Sequence, residues 1–396
     1  MTENLMDRRD FMKSSAAGVG AFFSLASSDK RQEERNQGSK KFAYRALGKT
    51  GINLPVVSMG GAYAGTVGMI RAALDSGITH IDTAHTYQRG KSEEIIGEAI
   101  KGRARNSCII ATRIFPPANR ITNLPAPQAT EDAFLKNMDA SLKRLGLEYV
   151  DILYQGSLAR REAVLHEPIL KALEKAKKDG KARFLGISTH QNEPEAIQAA
   201  IDSHLYDVVL TSYNFRQKHY IDVRQAIAKA AQAGLGVIAM KVMGGLTIDP
   251  LSLNAPAALK WVLQDPNVTT TVLGFCTFEE METDLSVMED LALKDSEKQW
   301  LQKQASLPGL YCQQCGKCMN QCLARIPIPD IMRAYMYAYA YRQPAIAQNL
   351  IASLDLPQRV CEDCSSCPVK CLNGWNVSGK IRDVVRLRDV PSGFLV

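Results

Sequence analysis

The sequence predicts an α/β chain, a TIM (β/α)8 barrel followed by a small, mostly helical domain rich in cysteine. Three observations carry this. Between Tyr44 and Leu293 short apolar runs alternate eight times with amphipathic stretches, the pattern of parallel strands joined by crossover helices. Those units fill about 250 residues, the usual length of such a barrel. Beyond them, eight of the ten cysteines fall into two runs of identical spacing. An open doubly wound sheet is the competing fold, but no G-x-G-x-x-G follows any strand.

In order, the strands read LPVVSMG (54–60), HIDTA (80–84), CIIATRI (108–114), YVDILYQ (149–155), FLGIST (184–189), VVLTSYN (208–214), GVIAMKV (236–242) and TTVLGF (270–275). Each is followed by a segment with apolar residues three and four apart, from VGMIRAALDSG (67–77) to FEEMETDLSVMEDLAL (278–293). Several of these segments end at Gly, the usual helix stop. The 396 residues, 46% of them hydrophobic, leave room for two domains. A net charge of +7 is mild, and no nucleic-acid motif occurs. Past residue 306 Lys and Arg outnumber Asp and Glu by ten to six, which suits a solvated surface or an acidic redox partner protein.

The cysteine runs are Cys312, Cys315, Cys318 and Cys322, then Cys361, Cys364, Cys367 and Cys371, each C-x2-C-x2-C-x3-C. This is the thiolate spacing of two-cluster iron–sulfur proteins, so two 4Fe-4S clusters are the expected cofactors. Zinc usually takes paired C-x2-C knuckles separated by a longer loop. Disulfides between such close neighbours rarely reach the required geometry. Crossed ligation is expected: Cys312, Cys315 and Cys318 with Cys371, and Cys361, Cys364 and Cys367 with Cys322. The remaining Cys108 and Cys276 sit in apolar runs and read as small buried hydrophobes. Residues 329–355, with a stripe of Tyr and Met, read as a helical spacer whose stripe is core.

At the other end, residues 1–28 carry Arg8 and Arg9 ahead of a short apolar stretch, Ala16 to Ala26. This reads as a twin-arginine export signal, too short to span a bilayer of ~30 Å, and implies a periplasmic destination. Residues 29–41 are polar or charged throughout and read as a linker. The barrel is then 42–305 and the cysteine domain 306–396. No other stretch is long and apolar enough for a transmembrane anchor. Export of a folded chain suits a cluster protein, because the cluster must be assembled before translocation.

The stretch YRALGKTGINLPVVSMGG, then IDTAHTYQRGKSEEIIGEAI, YVDILYQ and FLGISTH, resembles the aldo-keto reductases over residues 43–293. Its most specific element is Asp82, Thr83, Ala84 and Tyr87, followed by Ser92 and Glu93. The chain also resembles the subgroup of that family with a C-terminal dicluster 4Fe-4S ferredoxin-type module. The resemblance implies that Tyr87 donates a proton to a substrate carbonyl oxygen. A phenol with pKa ~10 needs a neighbouring cation for this, usually a lysine held by the aspartate at the position of Asp82. Arg113 stands in that lysine's place, where it can stabilise a phenolate and grip Asp82 in a two-pronged pair. The family's histidine would fall on Gly156; Gln155, His85, His190 and His219 are the possible substitutes.

The cofactor positions implied by the resemblance depart further. Ser188 and Thr189 replace Ser-Asn, Leu210 stands in place of a glutamine ahead of Tyr213 and Asn214, and Met240 replaces a stacking aromatic ahead of Lys241. Glu280 and Asp284 fall where NADP users place an arginine and an asparagine, and a carboxylate beside a 2′-phosphate costs on the order of 1 kcal/mol or more. A nicotinamide is therefore disfavoured, NADP most of all, and a flavin stays open. The expected function is an exported iron–sulfur oxidoreductase acting on a small carbonyl, alcohol or quinone-like molecule. The catalytic residues are Asp82, Tyr87 and Arg113; Ser188, Tyr213, Asn214 and Lys241 line the ligand site. A nicotinamide-dependent aldo-keto reductase with accessory clusters and a non-catalytic electron-transfer subunit are the alternatives.

Overall fold

A computed structural model describes residues 42–395, apart from 64, 120–121, 157, 245–253, 307–311, 313, 363 and 365. The expected export signal and linker, 1–28 and 29–41, lie outside the described residues.

Eight strands close into one barrel: β3 (Val57–Gly60), β4 (His80–Asp82), β5 (Ile109–Ile114), β6 (Val150–Gln155), β7 (Ala182–Thr189), β8 (Val208–Ser212), β9 (Gly236–Met240) and β10 (Thr270–Leu273). Neighbours pair in parallel in sequence order, and β10 pairs with β3 to complete the ring. The doubly wound alternative is thereby excluded. The expected first strand, 54–60, is split. Its leading part belongs to β2 (Asn53–Pro55), which pairs antiparallel with β1 (Tyr44–Ala46). The turn between them pushes Leu47, Ile52 and Leu54 into the barrel interior beside Ala111, Ile152, Val208 and Ile238. Gly236 makes room for this plug, since a Cβ there would meet Leu47 side-chain atoms at 2.5 Å.

The barrel helices are α1 (Val67–Asp75), α2 (Lys91–Ile100), α3 (Glu131–Leu145), the short α4 (Arg161–Val164), α5 (Glu167–Lys178), α6 (Glu193–Ser203), α7 (Tyr220–Ala233), α8 (Ala255–Leu263) and α9 (Phe278–Leu285). Their starts are chemically set. Thr66 and Thr130 cap α1 and α3 by accepting from Met69 and Ala133 backbone N–H groups, and Thr277 with Glu280 forms a capping box on α9. Helix α10 (Asp295–Ser306) then packs on the barrel, where the buried Lys260 Nζ lies 3.1 Å from Glu297 Oε1.

The cysteine module contains α11 (Ile328–Tyr339), α12 (Pro344–Ala352) and α13 (Val377–Val385) around a separate apolar cluster that includes Ile331, Met332, Ile351, Ile381 and Val384. Of the Tyr/Met stripe, Met332 and Met336 are buried and Tyr335 and Tyr337 half-buried, while Tyr339 is exposed. Cys108 is buried as expected, but Cys276 is exposed. Strand β10 stops at Leu273, leaving Cys276 in the loop just ahead of the Thr277 cap. Among the described residues no helix is long and apolar enough to cross a membrane.

Candidate functional site

The parallel register carries Asp82 and Arg113 to the same end of adjoining strands, the end where barrels of this kind place their chemistry. Arg113 Nη2 lies 2.6 Å from Asp82 Oδ1, and both side chains are fully enclosed. Arg113 Nη1 donates to Tyr87 Oη at 3.2 Å. The guanidinium also sits 5.8 Å from the Tyr154 ring centre and 5.9 Å from those of Tyr87 and Phe115, a cation held among aromatic faces. Two left-handed residues, Gln88 (φ 50°) and Arg89 (φ 57°), follow Tyr87 directly, strain that recurs at functional turns. Ser92 and Glu93 tie α2 beneath this turn: Ser92 Oγ lies 2.8 Å from Thr83 Oγ1, and Glu93 accepts from Thr112 and Arg144.

Burial pushes the Tyr87 phenol above its ordinary pKa, and Arg113 offsets only part of that rise. The cation pulls the phenol down as expected, but desolvation is the larger influence in so closed a site and sets the net direction. Tyr87 is held as a neutral proton donor. Asp82 is likewise pushed up by burial and pulled back by Arg113, while Asp82 holds Arg113 charged. Four buried polar atoms, Asp82 Oδ2, Arg113 Nε, Tyr154 Oη and Ser188 Oγ, have no hydrogen-bond partner among the described residues. They belong to four successive strands, β4 to β7, and buried polar atoms are normally partnered. This is an unmet demand of the kind a polar ligand meets.

The missing histidine has a steric cause. A Cβ on Gly156 would stand 2.6 Å from the Phe115 ring and 2.7 Å from Arg113 Cγ. Phe115 fills the space. Gln155 is not a substitute: its Nε2 donates to Ala163 O at 2.8 Å and its Oε1 accepts from Tyr206 Oη at 2.6 Å, away from any ligand. His85 packs 5.7 Å from the Phe115 ring, with Nδ1 3.1 Å from Arg113 O. A carbonyl only accepts, so that nitrogen carries the proton and Nε2 is the free acceptor. His190 lies among Arg333, Lys241 and Arg113, and burial first, then those charges, hold it well below its ordinary pKa. His219 instead pairs with Glu193 at 3.0 Å.

Of the expected ligand residues, Ser188 is buried with its hydroxyl unpartnered among the described residues. Tyr213 is a correction: it is 2% exposed and packs 5.1 Å from Trp261 in the layer between barrel and helices. Asn214 also serves the fold, its Oδ1 accepting from Arg216 N at 3.0 Å within the loop after β8. Leu210 and Met240 belong to the barrel interior. Lys241, directly after β9, adopts φ 58°. Its side chain keeps open surface, yet burial is the main influence that brings its pKa down to about 8, with Arg333 and Arg113 adding to it. Near α9, Glu280 is occupied by the capping box, and Asp284 is pushed up to about 7 by burial and by Glu280.

The cysteine module contributes to both places. A crevice is lined by Cys312, Cys315, Cys318 and Cys371, bounded on the barrel side by Lys218 and His219. Cys361 feels Cys322, Cys367 and Cys364. Burial pushes Cys312 and Cys318 up to about 12 and Cys361 up to about 11. No disulfide joins any of the ten cysteines. Among the described residues no group of three or more His, Cys, Asp or Glu forms a ready-made site for a metal ion. Lys218 Nζ donates to Leu372 O at 2.7 Å and Arg89 Nη2 to Asn349 Oδ1 at 2.9 Å, so the module is tied to the barrel loops. From α11, Arg333 comes within electrostatic reach of Tyr87, His190 and Lys241, and Tyr337 within reach of Tyr87. Sequence reasoning missed Arg333, Phe115 and Tyr154. The one available signal was an arginine inside the apolar stripe of α11.

Residues 62–250 match the profile of the Aldo/keto reductase family. An L-glyceraldehyde 3-phosphate reductase of Escherichia coli (strain K12) is 26% identical over 320 residues, spanning 64% of this chain and 90% of that protein. An L-galactose dehydrogenase of Arabidopsis thaliana is 32% identical over 165 residues, 37% of this chain and 49% of the relative. Among solved structures, an aldo-keto reductase from Bacillus halodurans superposes with a TM-score of 0.55 at 21% identity, over 67% of this chain and 98% of the other. That likeness concerns the barrel fold.

Proposed function

With an aldo/keto reductase family domain over residues 62–250 and an oxidoreductase of that type as the premise, we propose that the protein interconverts a small carbonyl compound and its alcohol with electrons from its own cysteine module. The observation that carries this is the crevice formed by three cysteines of the first run and the last of the second, set against barrel residues Lys218 and His219. That set is the one crossed ligation predicts, and the grouping of Cys361 with Cys322, Cys364 and Cys367 supports its counterpart. Bound by these two sets, two 4Fe-4S clusters would each pass one electron between an external redox partner protein and the barrel, two in all for each carbonyl reduced, with two protons taken up by the ligand, one from Tyr87 and one from solvent.

The chain's own part is proton handling. Because Tyr87 Oη accepts from Arg113, its hydrogen is left to point at a ligand oxygen, and burial keeps that hydrogen on the phenol at neutral pH. Arg113, anchored by Asp82, stabilises the phenolate that remains after transfer. The residues present do not fit a nicotinamide of the family's usual kind. Leu210 and Met240 are barrel core, Asp284 and Glu280 stand where a 2′-phosphate would want cations, and Arg333 and Tyr337 of the module act electrostatically on Tyr87. The reading includes export to the periplasm, supported by Arg8, Arg9 and the apolar stretch that follows.

Anaerobic purification with iron and sulfide counts and an EPR spectrum tests it, followed by addition of NADH and then NADPH to the oxidised protein. About eight irons per chain and no reduction by either nucleotide are expected. Prompt reduction by NADH or NADPH would favour a nicotinamide-dependent enzyme with accessory clusters. Zinc in place of iron would overturn the proposal. Cys322→Ser is expected to alter the signal of the Cys361, Cys364, Cys367 set and to spare the other.

A further inference from the structure

We propose, resting on the carbonyl–alcohol reading above, that the ligand of the barrel mouth carries a negatively charged carboxylate or phosphate, held between Lys241 of the barrel and Arg333 of the cysteine module. Lys241 is placed for such a role. A lysine at φ 58° is in a strained backbone conformation, at the barrel end where chemistry is located. No hydrogen bond or ion pair engages its ammonium group among the described residues, and its side chain is exposed.

Arg333 is fixed from behind. Its Nη2 donates to Gln314 Oε1 at 2.7 Å and its Nη1 lies 3.6 Å from Asp330 Oδ1, so the side chain is braced on its own module, from where its charge acts on Lys241. The charges that act on Lys241 are Arg333 and Arg113, and those that act on His190 are Arg333, Lys241 and Arg113; no carboxylate is among them. Asp82 is taken by Arg113 and Asp330 by Arg333. Three cations thus share two carboxylates, each already engaged by an arginine, so one positive charge is left over and Lys241 is the cation without a counter-ion, which an entering anion would supply. The unpartnered Tyr154 Oη and Ser188 Oγ belong to strands ending at the same mouth, where they can bind the uncharged part of the ligand. Because Arg333 comes from the appended module, this specificity is absent from a barrel alone.

The test uses the full chain with its metal content intact, kept anaerobic, and measures binding of pyruvate, hydroxyacetone and inorganic phosphate by calorimetry. Pyruvate and hydroxyacetone share a ketone and differ in the charged group. Pyruvate is expected to bind at least about tenfold more tightly than hydroxyacetone, a difference of ~1.4 kcal/mol. Phosphate is expected to compete with it. Lys241→Met and Arg333→Met should each weaken pyruvate about tenfold with iron content and EPR signal unchanged, and Arg333→Lys should restore part of the loss. Lys241→Met carries the test if Arg333→Met disturbs its module. Equal affinity for both ketones, or unchanged pyruvate affinity in Lys241→Met, overturns the anion site. So does displacement of phosphate by NADH with the same affinity in Arg333→Met, which would assign the cations to a cofactor phosphate. Turnover of hydroxyacetone that is lost in Tyr87→Phe while no anion binds would sink this site and leave the carbonyl reading standing; the converse would do the opposite.

Discussion

In the barrel, burial is self-sufficient: Val57, Ile81, Ile110, Leu153, Ile187, Val209 and their neighbours are sealed by helices whose caps and apolar faces come from the same units. In the module that follows, a much smaller apolar cluster is completed by half-buried cysteines, with Cys312, Cys318, Cys322, Cys361, Cys367 and Cys371 packed against it. Small domains rarely close on hydrophobic burial alone. The difference teaches that the two regions should fail separately, one on loss of packing and the other on loss of whatever its thiols bind.

The largest effect expected from this contrast follows from stripping the proposed clusters with an iron chelator, or from Cys312→Ser. Structural metal binding in small domains is of order 10 kcal/mol. Limited proteolysis should then cut the chain within the cysteine module and leave the barrel intact; equal resistance of both regions would break the comparison. Next is Tyr87→Phe, expected to lower turnover about a hundred- to ten-thousand-fold with cluster content and stability unchanged. Surviving turnover would mean that the proton comes from elsewhere.

Smaller is a pH effect confined to the barrel. His80 is fully buried, and burial pushes its pKa down to about 4. It stays neutral in the fold, while the unfolded chain takes up a proton below about 6.5. Its contribution is fully present above that pH and is lost as pH falls from there towards 4, by about 3 kcal/mol in all. Denaturant titrations followed by a barrel tryptophan across this window check the sign. Smallest is Gly156→Ala, whose added methyl meets Phe115 and Arg113 and should cost about 1–3 kcal/mol, recovered in part by Phe115→Ala.

The barrel was legible in the chain because short apolar runs and helix stops are local signals, and the trio Asp82, Tyr87 and Arg113 through the resemblance that the strand-end stretch from Asp82 to Glu93 carries. The split of the first strand was not, since LPVVSMG is apolar throughout and only the pairing of β1 with β2 divides it. Tyr213 was misread for a related reason: alternation along a buried strand does not say which side faces the mouth, and both sides are apolar. Arg333 was out of reach because its neighbours Tyr87 and Lys241 are distant in sequence and belong to another unit. The grouping of Cys371 with the first run, by contrast, could be anticipated from spacing alone.

Phe115 leaning over Gly156 has an evolutionary consequence. With an aromatic ring packed on this glycine, an imidazole cannot enter at Gly156 by one substitution, because the two rings would collide. The way in needs the phenylalanine trimmed first, through an intermediate with a hole beside Arg113 and no compensating gain. Such a contact works as a ratchet, keeping an imidazole out of Gly156 whatever chemistry the site performs.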